Sequence, residues 1–302
     1  MASGSIVFDR TALRRNLRRA EKLGPATFLI DRAAEDLCDR LSAVLRRFEL
    51  AADLASPTDA VRRRLRATDL VSTIVAVTDP ASAGVSVRDD DPRIVADPEA
   101  LPLREDSLDL VVSALALQFV NDLPGTFLQV QRALKPDGLF LAALVGGNSL
   151  IELRQAFAAA EAELEHGASP RVAPFADVRA IGMLLQRAGF ALPVTDIERV
   201  SVRYASPFAL MQDLRRMGAT NALAERRRTP LRRGTLLRMA AIYAERFADP
   251  DGRVRATFDL IWLSGWKPHA SQQQPLRPGS AQARLADALG TREIPAGEKP
   301  RN

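Results

Sequence analysis

The chain has 302 residues, 47% of them hydrophobic, which is enough for a large core and too much for a disordered protein. A single cysteine, Cys38, excludes a disulfide framework. With only two histidines, His166 and His269, both in polar, breaker-rich surroundings, no nitrogen and sulfur ligand set exists for a metal. The pI near 9.9 rests on a formal net charge of only +5, and the arginines behind it fall in separate clusters without interleaved aromatics, which argues against a nucleic-acid partner.

No apolar stretch of signal-peptide length opens the chain, and none nears the ~20 residues needed to cross a bilayer. A cytoplasmic protein with at most peripheral membrane contact is therefore expected. Residues 10–22 and 29–47 read as two amphipathic helices parted by Gly24-Pro25. A short buried strand, 50–54, leads through Ser56-Pro57-Thr58-Asp59 into a helix around 60–66. Residues 70–78 are β-branched and almost continuously apolar, as a strand covered on both faces should be, and end at Asp79-Pro80. From 81 to 92 little helical pattern survives, so the crossover there is expected to be short or missing. Residues 94–96 form a third strand closed by Asp97-Pro98, 108–115 a fourth, 126–134 a helix stopped by Lys135-Pro136-Asp137-Gly138, and 139–145 a fifth strand.

Strands and helices alternating at this spacing predict an α/β fold with a doubly wound, mostly parallel sheet. After Gly146-Gly147 the pattern changes to longer helices at 150–165, 175–188, 207–217 and 231–247. Two extended segments, 194–204 and 254–266, would add strands to the far edge and bring the sheet to seven. From Pro268 onward the composition is that of a disordered tail. The organisation expected is an N-terminal helical segment (1–47), a binding core (48–147), a helical cap region with the last strands (148–267) and the tail (268–302).

In such a sheet a ligand lies beyond the carboxyl ends of the strands, where strand order reverses. Three of the four loops there carry a carboxylate near the strand end: Asp53 with Ala55, Ser56 and Thr58, then Asp79, then Asp97 with Pro98; the fourth begins at Ser113. Asp79 lies about 20 residues beyond the first loop, the spacing at which an acid accepts hydrogen bonds from ribose hydroxyls. It reads equally well as a turn-initiating Asp before Pro, and Asp97 shares that ambiguity, with an adenine amino group as its partner in the functional reading. Asp53 could instead orient its loop through backbone amides. The first loop has no glycine, and Pro57 removes an amide donor, so a pyrophosphate is poorly served there.

Three segments, 101–103, 107–113 and 134–140, resemble the later motifs of class I S-adenosylmethionine (SAM) methyltransferases. More specifically, the chain resembles the family of the mitochondrial complex I assembly factor that is a methyltransferase-fold arginine hydroxylase, with its bacterial relatives. Phe8-Asp9-Arg10, Val120-Asn121-Asp122-Leu123-Pro124, Gly146-Gly147-Asn148-Ser149-Leu150, the 169–175 segment Ser-Pro-Arg-Val-Ala-Pro-Phe, Met217-Gly218-Ala219-Thr220-Asn221 and Ile261-Trp262-Leu263-Ser264-Gly265-Trp266 carry it. The malonyl-carrier-protein methyltransferase of biotin synthesis is a more distant cousin.

The resemblance implies a Rossmann-like, SAM-binding sheet. It also implies a role in maturing the respiratory NADH dehydrogenase, by modifying an arginine of a quinone-module subunit in the mitochondrial matrix of relatives. By position it carries the first motif onto Asp53 and Ala55, the ribose acid onto Asp79, the adenine-side acid onto Asp97 and the fourth strand's end onto Ser113. Two departures stand out: the glycines of the first motif are missing, and Gln118-Phe119 stands where relatives often have His-Trp. Gln118, Asn121 and Asp122 remain as candidate catalytic groups, the last two with a helix-capping reading beside the functional one. An enzyme using SAM on a protein arginine, by hydroxylation or methylation, is one expectation. A non-catalytic assembly factor that has lost SAM, or a small-molecule or carrier-protein methyltransferase, is another.

Overall fold

The computed structural model describes residues 6–79, 92–273, 286–287 and 290–292. Residues 1–268 form one compact unit and 269–302 a second. Few residues of the second unit are described, and most of the tail expected after Pro268 lies outside them, as do residues 81–91 of the expected short crossover.

The first unit is built on a seven-stranded sheet. In chain order it contains α1 (Arg10–Leu23), α2 (Phe28–Ser42), β1 (Phe48–Leu54), α3 (Ala60–Arg66), β2 (Val71–Thr78), β3 (Arg93–Val95), β4 (Leu108–Ala114), α4 (Leu123–Ala133), β5 (Leu134–Gly146), α5 (Ile151–Leu164), α6 (Val178–Arg187), β6 (Ala191–Tyr204), α7 (Pro207–Arg216), α8 (Arg233–Phe247) and β7 (Val254–Trp266). Strand order is β3-β2-β1-β4-β5-β7-β6. All neighbours are parallel except at β7, which runs antiparallel to both β5 and β6. Order reverses between β1 and β4, so the crevice expected to take a ligand opens at the ends of those strands.

The apolar runs of the central strands follow from burial on both faces. Successive residues feed opposite cores: Ala51, Leu110, Val112, Leu139 and Leu141 pack with α2, α3, α5 and α8, while Ala52, Val111, Phe140 and Ala142 pack with α4 and α6. The helical part expected before the last strands is split, with α5 and α6 preceding β6 and α7 and α8 preceding β7.

Several element boundaries differ from the sequence reading. The second helix stops at Ser42 rather than running to Arg47, because Leu45 turns through a left-handed conformation (φ 53°). This carries Arg46 to Asp137, where its Nη1 donates to the backbone carbonyl at 2.7 Å and to the carboxylate at 2.8 Å. The helix expected from Thr126 begins at Leu123, since the Asp122 carboxylate accepts from the Gly125 amide (2.8 Å) and Pro124 occupies the first turn, where its missing N–H costs nothing. Lys135-Pro136-Asp137-Gly138 is a bulge inside β5 rather than a break before it. Leu108 pairs with Leu134 and Leu110 already with Leu139, the excess residues looping out through Asp137 at φ 64°.

Candidate functional site

At the carboxyl ends of β1, β4 and β5 the described residues enclose a cavity of about 360 Å³. Ala55, Pro57, Thr58 and Asp79 form one part of its wall, and Pro98, Glu99, Leu115, Gln118 and Phe119 another. α1 and the 215–222 segment form a further part of the wall, and Leu150, Phe157, Val172 and Phe175 add apolar surface. Three lining residues that are not glycine hold left-handed backbones: Ala55 (φ 57°), Leu115 (φ 53°) and Leu150 (φ 55°). Each costs roughly 1–2 kcal/mol, and such strain collects where a loop must turn sharply beside a ligand. The Ala55 turn is held by its amide donating to Val77 O (2.7 Å), and the Leu115 turn by its amide donating to Ala143 O (2.8 Å). Ala55 thereby supplies the bend that glycine gives in other loops of this kind.

The binding candidates from the sequence divide by position, with Asp97 partly exposed beside the cavity wall and not part of it. Ala55, Thr58, Asp79, Pro98 and Gln118 line the cavity. Asp53, Ser56 and Ser113 lie behind its wall, at most 3% exposed. There the Asp53 carboxylate pairs with the equally buried Arg62 guanidinium and accepts from Ser56 Oγ. Ser56 Oγ in turn accepts from the Ala114 amide (3.0 Å), and Ser113 Oγ donates to Leu54 O (2.7 Å). These contacts tie the loop after β1 to the end of β4. Burial drives the Asp53 carboxyl above the ordinary carboxylate range, against the pull of Arg62 and Ser56.

The three groups considered for catalysis are engaged in local structure. Gln118 donates from Nε2 to Leu115 O (2.7 Å). Asn121 grips the N-terminal segment: Oδ1 accepts from the Val7 (2.9 Å) and Phe8 (2.8 Å) amides, and Nδ2 donates to Phe8 O (3.2 Å). Asp122 caps α4 and is absent from the cavity wall.

Asp79 and Asp97 end neighbouring strands and share partners that the sequence reading did not identify. Arg14 makes a two-pronged contact with Asp79, Nε to Oδ1 at 3.2 Å and Nη2 to Oδ2 at 3.1 Å. Arg10 reaches Asp97 at 2.5 Å, Glu99 at 3.5 Å and Asp79 at 3.7 Å. Burial would raise the Asp97 carboxyl, but Arg10 and the Glu99 amide hold it below the usual range. The Asp79 contact raises the Arg14 guanidinium above its ordinary value. Arg171, also in the cavity wall, pairs with Glu161, a fully buried carboxylate that Ser169 caps with both its amide and its hydroxyl. Among the described residues no cluster of His, Cys, Asp and Glu could hold a metal ion.

This wall fits a nucleoside. Asp79 in the wall suits ribose hydroxyls, Asp97 lies next to the wall residues Pro98 and Glu99, apolar surface suits a base, and Pro57 has no amide to offer a pyrophosphate.

A methyltransferase domain family matches residues 52–142, which span β1 to the middle of β5. In overall fold the chain is similar to a Bacillus halodurans protein described as a methyltransferase, with TM-score 0.53 at 14% identity, over 78% of this chain and all of that one. It is 39% identical over 175 residues to the malonyl-[acyl-carrier protein] O-methyltransferase of Gallionella capsiferriformans, covering 58% of each. With the mitochondrial arginine-hydroxylase NDUFAF5 of Danio rerio it shares 38% identity over 291 residues, 94% of this chain and 90% of that protein. A seven-stranded class I methyltransferase sheet and a match that runs almost end to end place this chain in the NDUFAF5 arginine-hydroxylase family of the SAM methyltransferase superfamily.

Proposed function

We propose that the cavity binds SAM, and that the chain modifies an arginine of a protein partner during maturation of the respiratory NADH dehydrogenase, a quinone-module subunit being the expected substrate. The observation that carries this reading is Asp79, a carboxylate at a strand end in the wall of a mostly apolar cavity, with Asp97 at the neighbouring strand end sharing its arginine partners beside the wall residues Pro98 and Glu99. The name borne by relatives that match almost end to end supports arginine as the acceptor.

When bound, SAM supplies an electrophilic methyl group on a sulfonium. Asp79 would accept the ribose hydroxyls and Asp97 would face the adenine, with Ala55 and Thr58 beneath the chain that joins sugar to sulfur. Leu115, Phe119 and Phe157 keep water from the acceptor, so that alignment supplies most of the rate. Among the described residues the lining holds no His, Lys, Cys or Tyr, and carboxylates such as Glu99 are the groups there able to take a proton. Hydroxylation adds an oxygen atom and so consumes dioxygen with an external two-electron donor, whereas methyl transfer needs neither.

Calorimetric titration of the purified protein with SAM tests the reading. Saturable binding in wild type and its loss in Asp79→Ala is the expected result; no binding up to millimolar SAM refutes it. Mass spectrometry of a recombinant quinone-module subunit then separates the reactions, one oxygen added against one methylene. A second reading, a non-catalytic assembly factor, is favoured by the glycine-free first loop, and absence of SAM binding together with retained capture of the subunit would select it. Methylation of a malonyl carrier protein instead would select a third reading, a carrier-protein methyltransferase like the relative that is 39% identical over 175 residues.

A further inference from the structure

The arginines of α1 divide into two sets. Arg10 and Arg14 face the cavity, and among the described residues their five ion pairs go to Asp79, Asp97 and Glu99. Arg15, Arg18 and Arg19 form no ion pair among the described residues, and the Arg19 guanidinium is lowered by burial and by its neighbours Arg215 and Arg15. Only the first set is matched to acids, and two of those acids are the ones that a nucleoside would need.

The position of α1 does not depend on those pairs. The Asp9 amide donates to Ala222 O (2.8 Å), and the Ala224 amide to Val7 O (2.9 Å). Asn121 grips Val7 and Phe8, Arg226 holds Asp9 at 2.8 Å, and Asn16 donates to Thr220 O at 2.8 Å. The helix is thus fixed over the cavity by backbone and amide contacts and by the Arg226–Asp9 ion pair, none of which involves Arg10 or Arg14, so the two guanidinium groups can exchange partners while the helix stays in place.

Resting on the SAM reading above, we infer that Arg10 and Arg14 form an internal latch on the nucleoside subsite: in the free protein they occupy Asp79 and Asp97, and the ribose and adenine bind by displacing them. The latch keeps two neighbouring carboxylates neutralised in a half-buried rim when no ligand is present. It also subtracts from affinity, since a ligand gains its hydrogen bonds to the acids only after charge-assisted ones are broken.

S-adenosylhomocysteine, the demethylated product, is the probe, titrated calorimetrically into full-length wild type, Arg10→Gln/Arg14→Gln and Arg15→Gln/Arg18→Gln. The latch predicts about tenfold tighter binding in the first double variant and no change in the second. For wild type it predicts tighter binding as salt rises from ~0.05 to ~0.5 M, a dependence that the first variant loses, because screening weakens the guanidinium contacts but not the ribose hydrogen bonds. The salt series on unaltered protein keeps the test sound even if the double variant folds poorly, and Arg10→Lys/Arg14→Lys, which retains charge without the planar fork, should fall between wild type and the Gln pair. Binding that weakens or stays unchanged in the Gln pair, with no salt effect in wild type, overturns the latch and leaves the SAM reading standing. No binding by any variant at any salt overturns both, and binding by the Gln pair alone supports both.

Discussion

Asp53 and Asp79 end neighbouring parallel strands with the same residue type and opposite surroundings. Asp53 is buried against Arg62, whereas Asp79 lies at the cavity rim under Arg14. Removing one partner of a buried pair leaves a charge with no compensation, so Arg62→Ala should cost about 3–5 kcal/mol in urea unfolding. A loss under ~1 kcal/mol would show that the pair is not the brace described. Cys38 allows a chemical check of the same core. Burial pushes its thiol up to about 11, so near neutral pH it is almost wholly protonated and should resist iodoacetamide in the native state. Rapid alkylation without denaturant would contradict the packing of α2 against α3 and the central strands β4 and β5.

At the level of elements, side-chain caps set several boundaries. Asp9, Asp122, Asp177 and Ser206 each accept a backbone amide three residues on, and α1, α4, α6 and α7 start where they do for that reason. Asp122→Ala should destabilise the protein by about 1 kcal/mol while leaving SAM affinity unchanged, because the residue is no part of the cavity wall. A large loss of binding at full stability would restore a role for it in the site. The sequence offered Asp122 as a helix cap but opened the helix only at Thr126; the cap and Pro124 in the first turn start it at Leu123. The left-handed turns at Leu115 and Leu150 were not legible in the sequence, since nothing in a leucine announces a conformation that its own side chain disfavours.

Over the whole molecule, three depressed carboxyls tie distant parts together. Asp9 is lowered by the Ala12 amide and Arg226. Asp97 and Asp259, which burial alone would raise, are held down chiefly by Arg10 and Arg199 respectively. A folded pKa below the unfolded one means that the unfolded chain binds more protons, so this stability is present above the ordinary carboxylate range near ~4 and is lost as pH falls through the folded values. Asp36 and Asp53, raised chiefly by burial, act the other way. With Glu163, Glu198 and Asp251 also depressed, the fall should win. Urea midpoints are expected to be level around neutrality and to drop below about pH 4; a midpoint unchanged at about pH 3 would refute this assignment.

What could be read from the amino-acid order was what depends on neighbours along the chain. Continuous apolar strands, their alternation with helices and an acid after each of three strands led to the doubly wound sheet and to Ala55, Thr58, Asp79 and Pro98 at its crevice. Tertiary structure alone decided which acids face the cavity and which are consumed behind it. It also placed Arg10 beside Asp97, 87 positions away, and Arg14 beside Asp79, 65 away. Burial pattern is written locally because water is excluded face by face, but the partner of a charge is chosen by the path of the whole chain, and neither guanidinium carries any mark of the carboxylate it will meet.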